Sequence, residues 1–128
     1  MEDKQFAVFG LGIFGSTIAT TLAEYGCEVL AVDKDISCVE RIADEVTKAV
    51  VADVTDHEEM ISLGVEDFDV AIVAIGTHLE EAVLATMMLK ELGVPYVIAK
   101  AKNKQFKQIL EKVGADKVIR AEKDMGIR

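Results

Sequence analysis

A glycine-rich segment near the start of the chain is the first group of residues that could do chemistry. Gly10, Gly12 and Gly15 form a G-x-G-x-x-G pattern directly after the apolar run Phe6-Ala7-Val8-Phe9. In such a pattern the first glycine permits a tight turn, the second lets the backbone approach a pyrophosphate, and the third lets a helix pack closely on a strand. Free N–H groups at the start of a helix near Phe14 would then bind phosphate groups. The alternative interpretation is a glycine-rich turn without a ligand.

An acidic residue follows the loop at the distance that a dinucleotide site requires. Asp33 comes directly after the apolar run Val29-Leu30-Ala31-Val32 and 18 residues after Gly15, close to the roughly 20 that the fingerprint expects. Its carboxylate can accept both hydroxyls of a ribose and would repel a 2′-phosphate, which favours NAD or an adenosine nucleotide over NADP. The ammonium of Lys34 next to it opposes that preference. The alternative role for Asp33 is to cap the following helix.

Further polar groups and glycines follow the ends of later apolar runs. Asp53 comes after the third run, where its carboxylate can accept from the exocyclic amine of adenine, and capping of the next helix is an equally good interpretation. Gly76 and Thr77 follow the fourth run, beside the other half of the expected site. Lys100 ends the fifth run, where its ammonium either reaches a phosphate or a ribose or is solvated.

The groups that a reaction would need are missing from these patterns. A dehydrogenase needs a proton donor near the nicotinamide, and Tyr96 and Lys100 have a Y-x-x-x-K spacing. The pair lies in a strand-like run after Pro95, where four residues span about 13 Å, so we interpret the spacing as coincidence. His57 and His78 belong to no H-E-x-x-H motif, and we expect solvated or capping roles for them. The sequence therefore predicts a site that binds a nucleotide and catalyses nothing.

Short apolar runs alternate with helical patterns along the chain. The runs predict strands over 6–9, 29–32, 49–51, 70–74 and 97–99, with a weaker sixth at 118–119. The patterns between them predict helices over 14–25, 36–45, 58–63, 79–92 and 104–113. Near-continuous hydrophobicity is typical of strands that are buried on both faces of a parallel sheet. The prediction is a Rossmann-like α/β fold, a doubly wound parallel sheet of about six strands with helices on both faces. Its ligand would lie at the carboxyl ends of the strands, where the strand order reverses.

Composition argues against several classes of function. The chain has 128 residues, the usual size of one domain, and a formal net charge of −9. Such an acidic surface repels phosphate backbones, and aromatic residues are too scarce for a base-stacking platform, with five Phe, two Tyr and no Trp, so we expect no nucleic acid partner. Cys27 and Cys38 lack metal-ligand spacing and indicate a reducing compartment. The apolar runs are all shorter than the roughly 18 residues of a membrane span.

Five segments taken together resemble the Trk/Ktr potassium-uptake regulators. They are residues 4–12, 28–33, 50–56, 73–76 and 110–119. Their combination in this order covers nearly the entire chain and is far more specific than any single motif. The chain looks like the N-terminal RCK domain (regulator of conductance of potassium) of such a protein. On this interpretation residues 1–122 are the Rossmann nucleotide-binding domain, and 123–128 start a truncated connection to a C-terminal domain.

The resemblance implies a regulatory function without catalysis. It implies binding of NAD or NADH, or of ATP, ADP or AMP, and assembly into a homo-oligomer, from a dimer to an octameric ring. The implied partner is a membrane potassium transporter subunit, and the implied location is cytoplasmic, at the inner face of the plasma membrane. Nucleotide exchange would change the ring conformation and gate the transporter, which requires ligands that favour different conformations. An NAD-dependent oxidoreductase fragment and a stand-alone nucleotide-binding adaptor remain as alternatives.

By motif position, the resemblance also implies a set of nucleotide contacts and no catalytic or metal-binding residue. The contacts at the amino-terminal half are Gly10, Leu11, Gly12, Ile13, Phe14, Gly15, the ribose acid Asp33 with Lys34, and the adenine contacts Asp53 and Val54. Those further along the chain are Ile75, Gly76, Thr77, Lys100, Ala101, Lys102 and the terminal acid Glu122. The family often has Arg where this chain has Ile13, which removes a cation from the terminal phosphates and favours ADP or NAD. It also commonly has Pro where this chain has Ala121.

Overall fold

The fold is built on one parallel sheet of six strands. The computed structural model describes residues 4–75 and 78–120. The strands are β1 Gln5–Phe9, β2 Glu28–Asp33, β3 Lys48–Val51, β4 Val70–Val73, β5 Tyr96–Ala101 and β6 Lys117–Arg120. All neighbouring strands are parallel, and their order is β3-β2-β1-β4-β5-β6. Because the order reverses between β1 and β4, this is a doubly wound Rossmann-like sheet, and the predicted fold is confirmed.

Five helices connect the strands at the predicted places. They are α1 Ile13–Glu24, α2 Ile36–Ile42, α3 His57–Ser62, α4 Leu79–Glu91 and α5 Lys104–Lys112. Side-chain oxygens of Asp35, Asp56 and Asn103 accept backbone N–H groups in the first turns of α2, α3 and α5. Helix α2 is shorter than predicted because Ala43–Glu45 forms a separate 3-10 turn. Within the described residues, none of these helices is long and apolar enough to cross a membrane.

Two apolar layers, one on each face of the sheet, hold the helices in place. Successive residues of β1 alternate between them, so that Val8 faces one layer and Phe9 the other. Helices α1 and α2 close the first layer. Helices α3, α4 and α5 close the second through the fully buried Met60, Leu89 and Leu110. The sheet therefore has helices on both faces, as predicted.

Two strands, β3 and β5, are less buried than their hydrophobicity predicts. Strand β3 is only partly buried, and β5 buries Val97, Ala99 and Ala101 while Tyr96 is exposed and Ile98 is half-buried. The expectation that every apolar run is buried on both faces is therefore wrong for these two strands. The reason is that β3 lies at the edge of the sheet, whereas α4 and α5 pack on the same face of β5.

Side chains accept backbone N–H groups at the edge of the sheet where the strands begin, which is the amino-terminal end of all the parallel strands. The carboxylate of Asp69 accepts the N–H of Gln5 at 2.8 Å. That of Asp116 accepts the N–H of Val97 at 2.8 Å and the ammonium of Lys90 at 2.8 Å. These hydrogen bonds satisfy one backbone donor at the start of β1 and one at the start of β5.

Candidate functional site

A crevice with a volume of about 410 Å³ opens at the carboxyl ends of the strands. It lies at the point where the strand order reverses, which is where open α/β sheets bind their ligands. The glycine-rich loop after β1, the ends of β2, β3, β4 and β5, and the start of α4 surround it. The lining residues are Gly10, Leu11, Gly12, Ile13, Phe14, Asp33, Lys34, Asp35, Cys38, Ala52, Asp53, Val54, Ala74, Ile75, His78, Glu81 and Lys100.

The three glycines of the loop differ in what surrounds them. Gly10 has a φ of +98°, and a Cβ there would lie 2.9 Å from the carbonyl oxygen of Ala74. A Cβ on Gly15 would overlap the carbonyl oxygen of Gly10. A Cβ on Gly12, in contrast, would meet no atom within 4 Å. Packing therefore requires Gly10 and Gly15, whereas Gly12 leaves open space that fits an approaching phosphate.

Helix α1 begins at this loop without a capping side chain. Gly12 is its N-cap, and its first turn contains no acidic residue. Each of the other four helices in the described part of the chain has either a side-chain cap or acidic residues in its first turn. The first hydrogen bond of α1 runs from the N–H of Ser16 to the carbonyl of Gly12 at 2.9 Å. The earlier N–H groups, at the positive end of the helix dipole, suit an anion.

The carboxylate of Asp33 connects the end of β2 to the glycine-rich loop. One oxygen accepts the N–H of Leu11 at 2.7 Å, and the other accepts the N–H of Asp35 at 2.8 Å. Helix α2 is capped by Asp35, whose carboxylate accepts the N–H of Ser37 at 2.9 Å. The capping role considered for Asp33 therefore belongs to Asp35. Each oxygen of Asp33 retains a lone pair for a ribose hydroxyl.

Lys34, the residue after Asp33, forms an ion pair across the crevice. Its Nζ lies 3.0 Å from Oε2 of Glu81, in the first turn of α4. The hydrogen bond and the charge of Glu81 raise the pKa of the Lys34 ammonium, with smaller contributions from the carboxylates of Asp53 and Asp33. The ammonium therefore faces three carboxylates and is bonded to one of them.

Asp53 lines the crevice and also stabilises its own turn. Its carboxylate accepts the N–H of Thr55 at 2.9 Å and the hydroxyl of Thr55 at 2.6 Å. These hydrogen bonds from Thr55 lower the pKa of the Asp53 carboxyl group, and the charge of Lys34 lowers it further. Helix α3 is capped by Asp56. Asp53 therefore stays ionised at the adenine side of the expected site.

Lys100 brings a positive charge to the start of α1. Its Nζ lies 4.9 Å from the centroid of the Phe14 ring, a cation–π contact, and both side chains line the crevice. Tyr96 and Lys100 both lie in β5, so their spacing is that of a strand, as interpreted from the sequence.

The remaining predicted contacts divide into three groups. Val54 and Ile75 line the crevice. Ala101 is fully buried beneath α4 and α5, and the Nζ of Lys102 lies 5.3 Å from the centroid of the Phe106 ring, so neither residue lines the crevice. Strand alternation directs Lys100 and Ala101 to opposite faces of the sheet. The predicted contacts outside the described residues are Gly76, Thr77 and Glu122.

Sequence reasoning missed several crevice residues, because they lie at the starts of the helices that follow the strands. The missed side chains include Asp35, Cys38, His78 and Glu81. Because each of these helices begins directly after a strand that ends at the crevice, its first residues could have been expected to lie near the crevice. His78 is the N-cap residue of α4 and makes no capping hydrogen bond with its side chain.

Comparison with known proteins agrees with the resemblance seen in the sequence. A sequence profile of the TrkA-N domain matches residues 6–121. Ktr system potassium uptake protein A of Bacillus subtilis is 45% identical over 128 residues, which is the whole of this chain and 58% of that protein. The chain thus spans little more than half the length of this relative.

Solved structures share the fold over almost the whole chain. The NAD(P)-binding domain of an exopolyphosphatase-related protein from Archaeoglobus fulgidus has a TM-score of 0.84 at 27% identity, and the alignment covers 96% of this chain and 92% of that one. The GsuK channel bound to NAD has a TM-score of 0.84 at 17% identity, covering 97% of this chain and 22% of that one. The likeness to GsuK concerns the fold alone.

Proposed function

The chain belongs to the TrkA-N domain family, and from this premise we propose that it is the nucleotide-binding regulatory domain of a potassium uptake system. Its ligand would be NAD or NADH, or an adenosine nucleotide (ATP, ADP or AMP). Its partner would be a membrane potassium transporter subunit, on which a homo-oligomer of the full-length protein acts from the cytoplasmic side. The similarity to Ktr system potassium uptake protein A supports a role in potassium uptake. Because this chain spans 58% of that relative, we propose the transporter partner for a protein of the relative's full length.

The observation that carries the nucleotide proposal is the uncapped start of α1 at the glycine-rich loop. Open space at Gly12, N–H groups without intrahelical acceptors and the nearby ammonium of Lys100 together form a receptor for a phosphate group. Asp33 follows Gly15 by 18 residues, close to the roughly 20 at which a carboxylate binds the adenosine ribose in dinucleotide sites.

The charges around the crevice favour ligands with few phosphate charges. Its carboxylates are those of Asp33, Asp35, Asp53 and Glu81, whereas its ammonium groups are those of Lys34 and Lys100. Lys34 is paired with Glu81, and the exposed Ile13 contributes no charge beside the phosphate loop. A triphosphate would therefore be repelled more than a dinucleotide, ADP or AMP.

A regulatory domain must convert occupancy into a change of shape. Two ligands shift an equilibrium between two ring conformations only when their affinities for those conformations differ. Dinucleotides and mononucleotides would fill different parts of the crevice, because Asp33 lies on one side of it and the start of α4 on the other. This difference would distinguish an activating from an inactivating ligand.

Calorimetric titration of the domain with NAD, NADH, ATP, ADP and AMP tests the proposal. We expect binding of at least one of the five, weakened at least tenfold in Asp33→Ala and in Gly12→Val. Asp44→Ala, which removes an exposed carboxylate away from the crevice, is the matched control and should bind as the parent does. If none of the five nucleotides binds the parent, the nucleotide proposal is wrong.

Two further experiments separate the proposal from its alternatives. Copurification of the full-length protein from membranes should recover a potassium transporter subunit, and its absence would favour a stand-alone adaptor. Turnover of NADH with any substrate would favour an oxidoreductase fragment.

A further inference from the structure

The ion pair between Lys34 and Glu81 joins the two sides of the crevice. Lys34 follows the last residue of β2, and Glu81 lies 47 residues further along, in the first turn of α4. Their side chains meet at 3.0 Å, with 65% of the Lys34 side chain and 28% of the Glu81 side chain exposed. Both residues line the crevice.

Lys34 is also the cation adjacent to the candidate ribose acid. In dinucleotide sites a carboxylate at the position of Asp33 selects an unsubstituted ribose, and a cation nearby accommodates a 2′-phosphate. The sequence therefore contains both signals side by side. In the structure the ammonium is held by Glu81, while Asp33 is bonded to the N–H groups of Leu11 and Asp35.

We propose that Glu81 is a specificity-determining residue that holds the Lys34 ammonium away from the ribose and thereby disfavours nucleotides with a 2′-phosphate. This inference rests on the proposed nucleotide-binding function and specifies its substrate class as dinucleotides or adenosine nucleotides with a free 2′-hydroxyl. Glu81 acts through Lys34 and is therefore a positioning residue. Asp53 and Asp33, the other carboxylates near the ammonium, add to the repulsion of a 2′-phosphate at this place.

The test compares NAD with NADP, which differ by the 2′-phosphate alone. Both are titrated into the wild type, Glu81→Gln and Glu80→Gln at low ionic strength. Glu80 also lies in the first turn of α4, is exposed and does not line the crevice, so the two variants remove the same charge from the same helix end. We expect the ratio of the NADP to the NAD dissociation constant to fall about two- to five-fold in Glu81→Gln, the range of an exposed ion pair, and to stay unchanged in Glu80→Gln.

A second pair of variants tests whether Lys34 transmits the effect. In a Lys34→Met background, Glu81→Gln should no longer change the ratio. Equal changes in Glu81→Gln and Glu80→Gln, an unchanged ratio in Glu81→Gln, or a change that persists without Lys34 would each overturn the inference. NAD binding to Glu81→Gln without measurable NADP binding would also overturn it. If the wild type binds neither dinucleotide nor any adenosine nucleotide, the proposed function itself is wrong and the inference falls with it.

Discussion

The two edges of the sheet use the same kind of side chain for different purposes. At the edge where the strands begin, Asp69 and Asp116 accept N–H groups of β1 and β5 and join neighbouring strands. At the edge where the strands end, Asp33 joins the end of β2 to the loop after β1 through the N–H of Leu11, and Asp53 accepts the N–H and hydroxyl of Thr55. Both also line an open crevice. A carboxylate at the first edge is part of the fold, whereas one at the second edge also keeps lone pairs directed at the crevice.

The difference follows from the geometry of parallel strands. All six strands run in the same direction, so all their starting N–H groups lie at one edge, where carboxylates can satisfy them. The opposite edge has helix starts whose N–H groups need acceptors. Three of these helices, α2, α3 and α5, have side-chain caps, whereas the first N–H groups of α1 have no side-chain cap in the described part of the chain.

The largest expected effect separates two glycines of the same loop, Gly15, which packing requires, and Gly12, which faces open space. Gly15→Ala should lower the free energy of unfolding by more than about 3 kcal/mol, because its Cβ would overlap the carbonyl oxygen of Gly10. Gly12→Val should change it by less than about 1 kcal/mol, since a Cβ there meets no atom within 4 Å, yet it should abolish nucleotide binding. Urea denaturation and calorimetric titration measure the two quantities. Equal loss of stability in both variants would contradict the assigned roles.

The next effect compares the loss of one carboxylate from each edge, Asp116 and Asp33, in stability and in nucleotide affinity. Asp116→Ala leaves the N–H of Val97 and the ammonium of Lys90 without their acceptor, and should destabilise the fold by about 1–3 kcal/mol with unchanged nucleotide affinity. Asp33→Asn keeps an oxygen for the N–H of Leu11 but turns its NH2 group toward the exposed N–H of Asp35, so the free energy of unfolding should fall by about 1 kcal/mol. Its nucleotide affinity should fall about tenfold, since a charged acceptor of the ribose hydroxyls is lost. The comparison fails if Asp116→Ala weakens binding as much as Asp33→Asn does.

Much of this division could be predicted from the sequence, and part of it could not. The glycine pattern and the position of Asp33 locate the crevice because both are local to a strand end. The alternation of side chains along a strand also predicts that Lys100 and Ala101 lie on opposite faces of the sheet, although the family resemblance assigned both as nucleotide contacts. The partner of Lys34 could not be predicted, because it depends on how α4 packs 47 residues away. The same holds for Asp116, whose bonds to Val97 and Lys90 depend on the register of β5 and β6.

Acid should weaken the edge at which the strands begin. Partial burial raises the pKa of the Asp116 carboxyl group, but the hydrogen bonds from Lys90 and Val97 and the charge of Lys90 outweigh it and lower the pKa. Since the folded pKa lies below the unfolded value near 4, the contribution of Asp116 to stability is complete above about pH 4 and is lost as the pH falls through the lowered value. The difference in unfolding free energy between the wild type and Asp116→Asn should therefore shrink below about pH 4. A difference that stays constant from pH 7 to pH 3 in urea titrations would contradict this.

The smallest effect concerns the charge of the phosphate loop. Ile13 is 90% exposed at the start of α1, so Ile13→Arg costs no buried packing. The new guanidinium should raise affinity for ATP several-fold more than affinity for AMP, because the triphosphate carries more charge near the loop. Ile13→Gln is the neutral control, and calorimetry measures the affinities of the wild type and both variants for ATP and for AMP. Equal gains for ATP and AMP would remove phosphate charge as the reason for the preference.

The position of β1 in the middle of the sheet also has a consequence for synthesis on the ribosome. Phe6 pairs with Val70, and the turn at Gly10 packs against the carbonyl of Ala74. The nascent glycine-rich loop therefore lacks its supporting strand until more than 60 further residues have emerged, although it is among the first segments to be made. A ligand can meet its finished receptor only after translation has passed β4, so nucleotide capture follows assembly of the sheet centre.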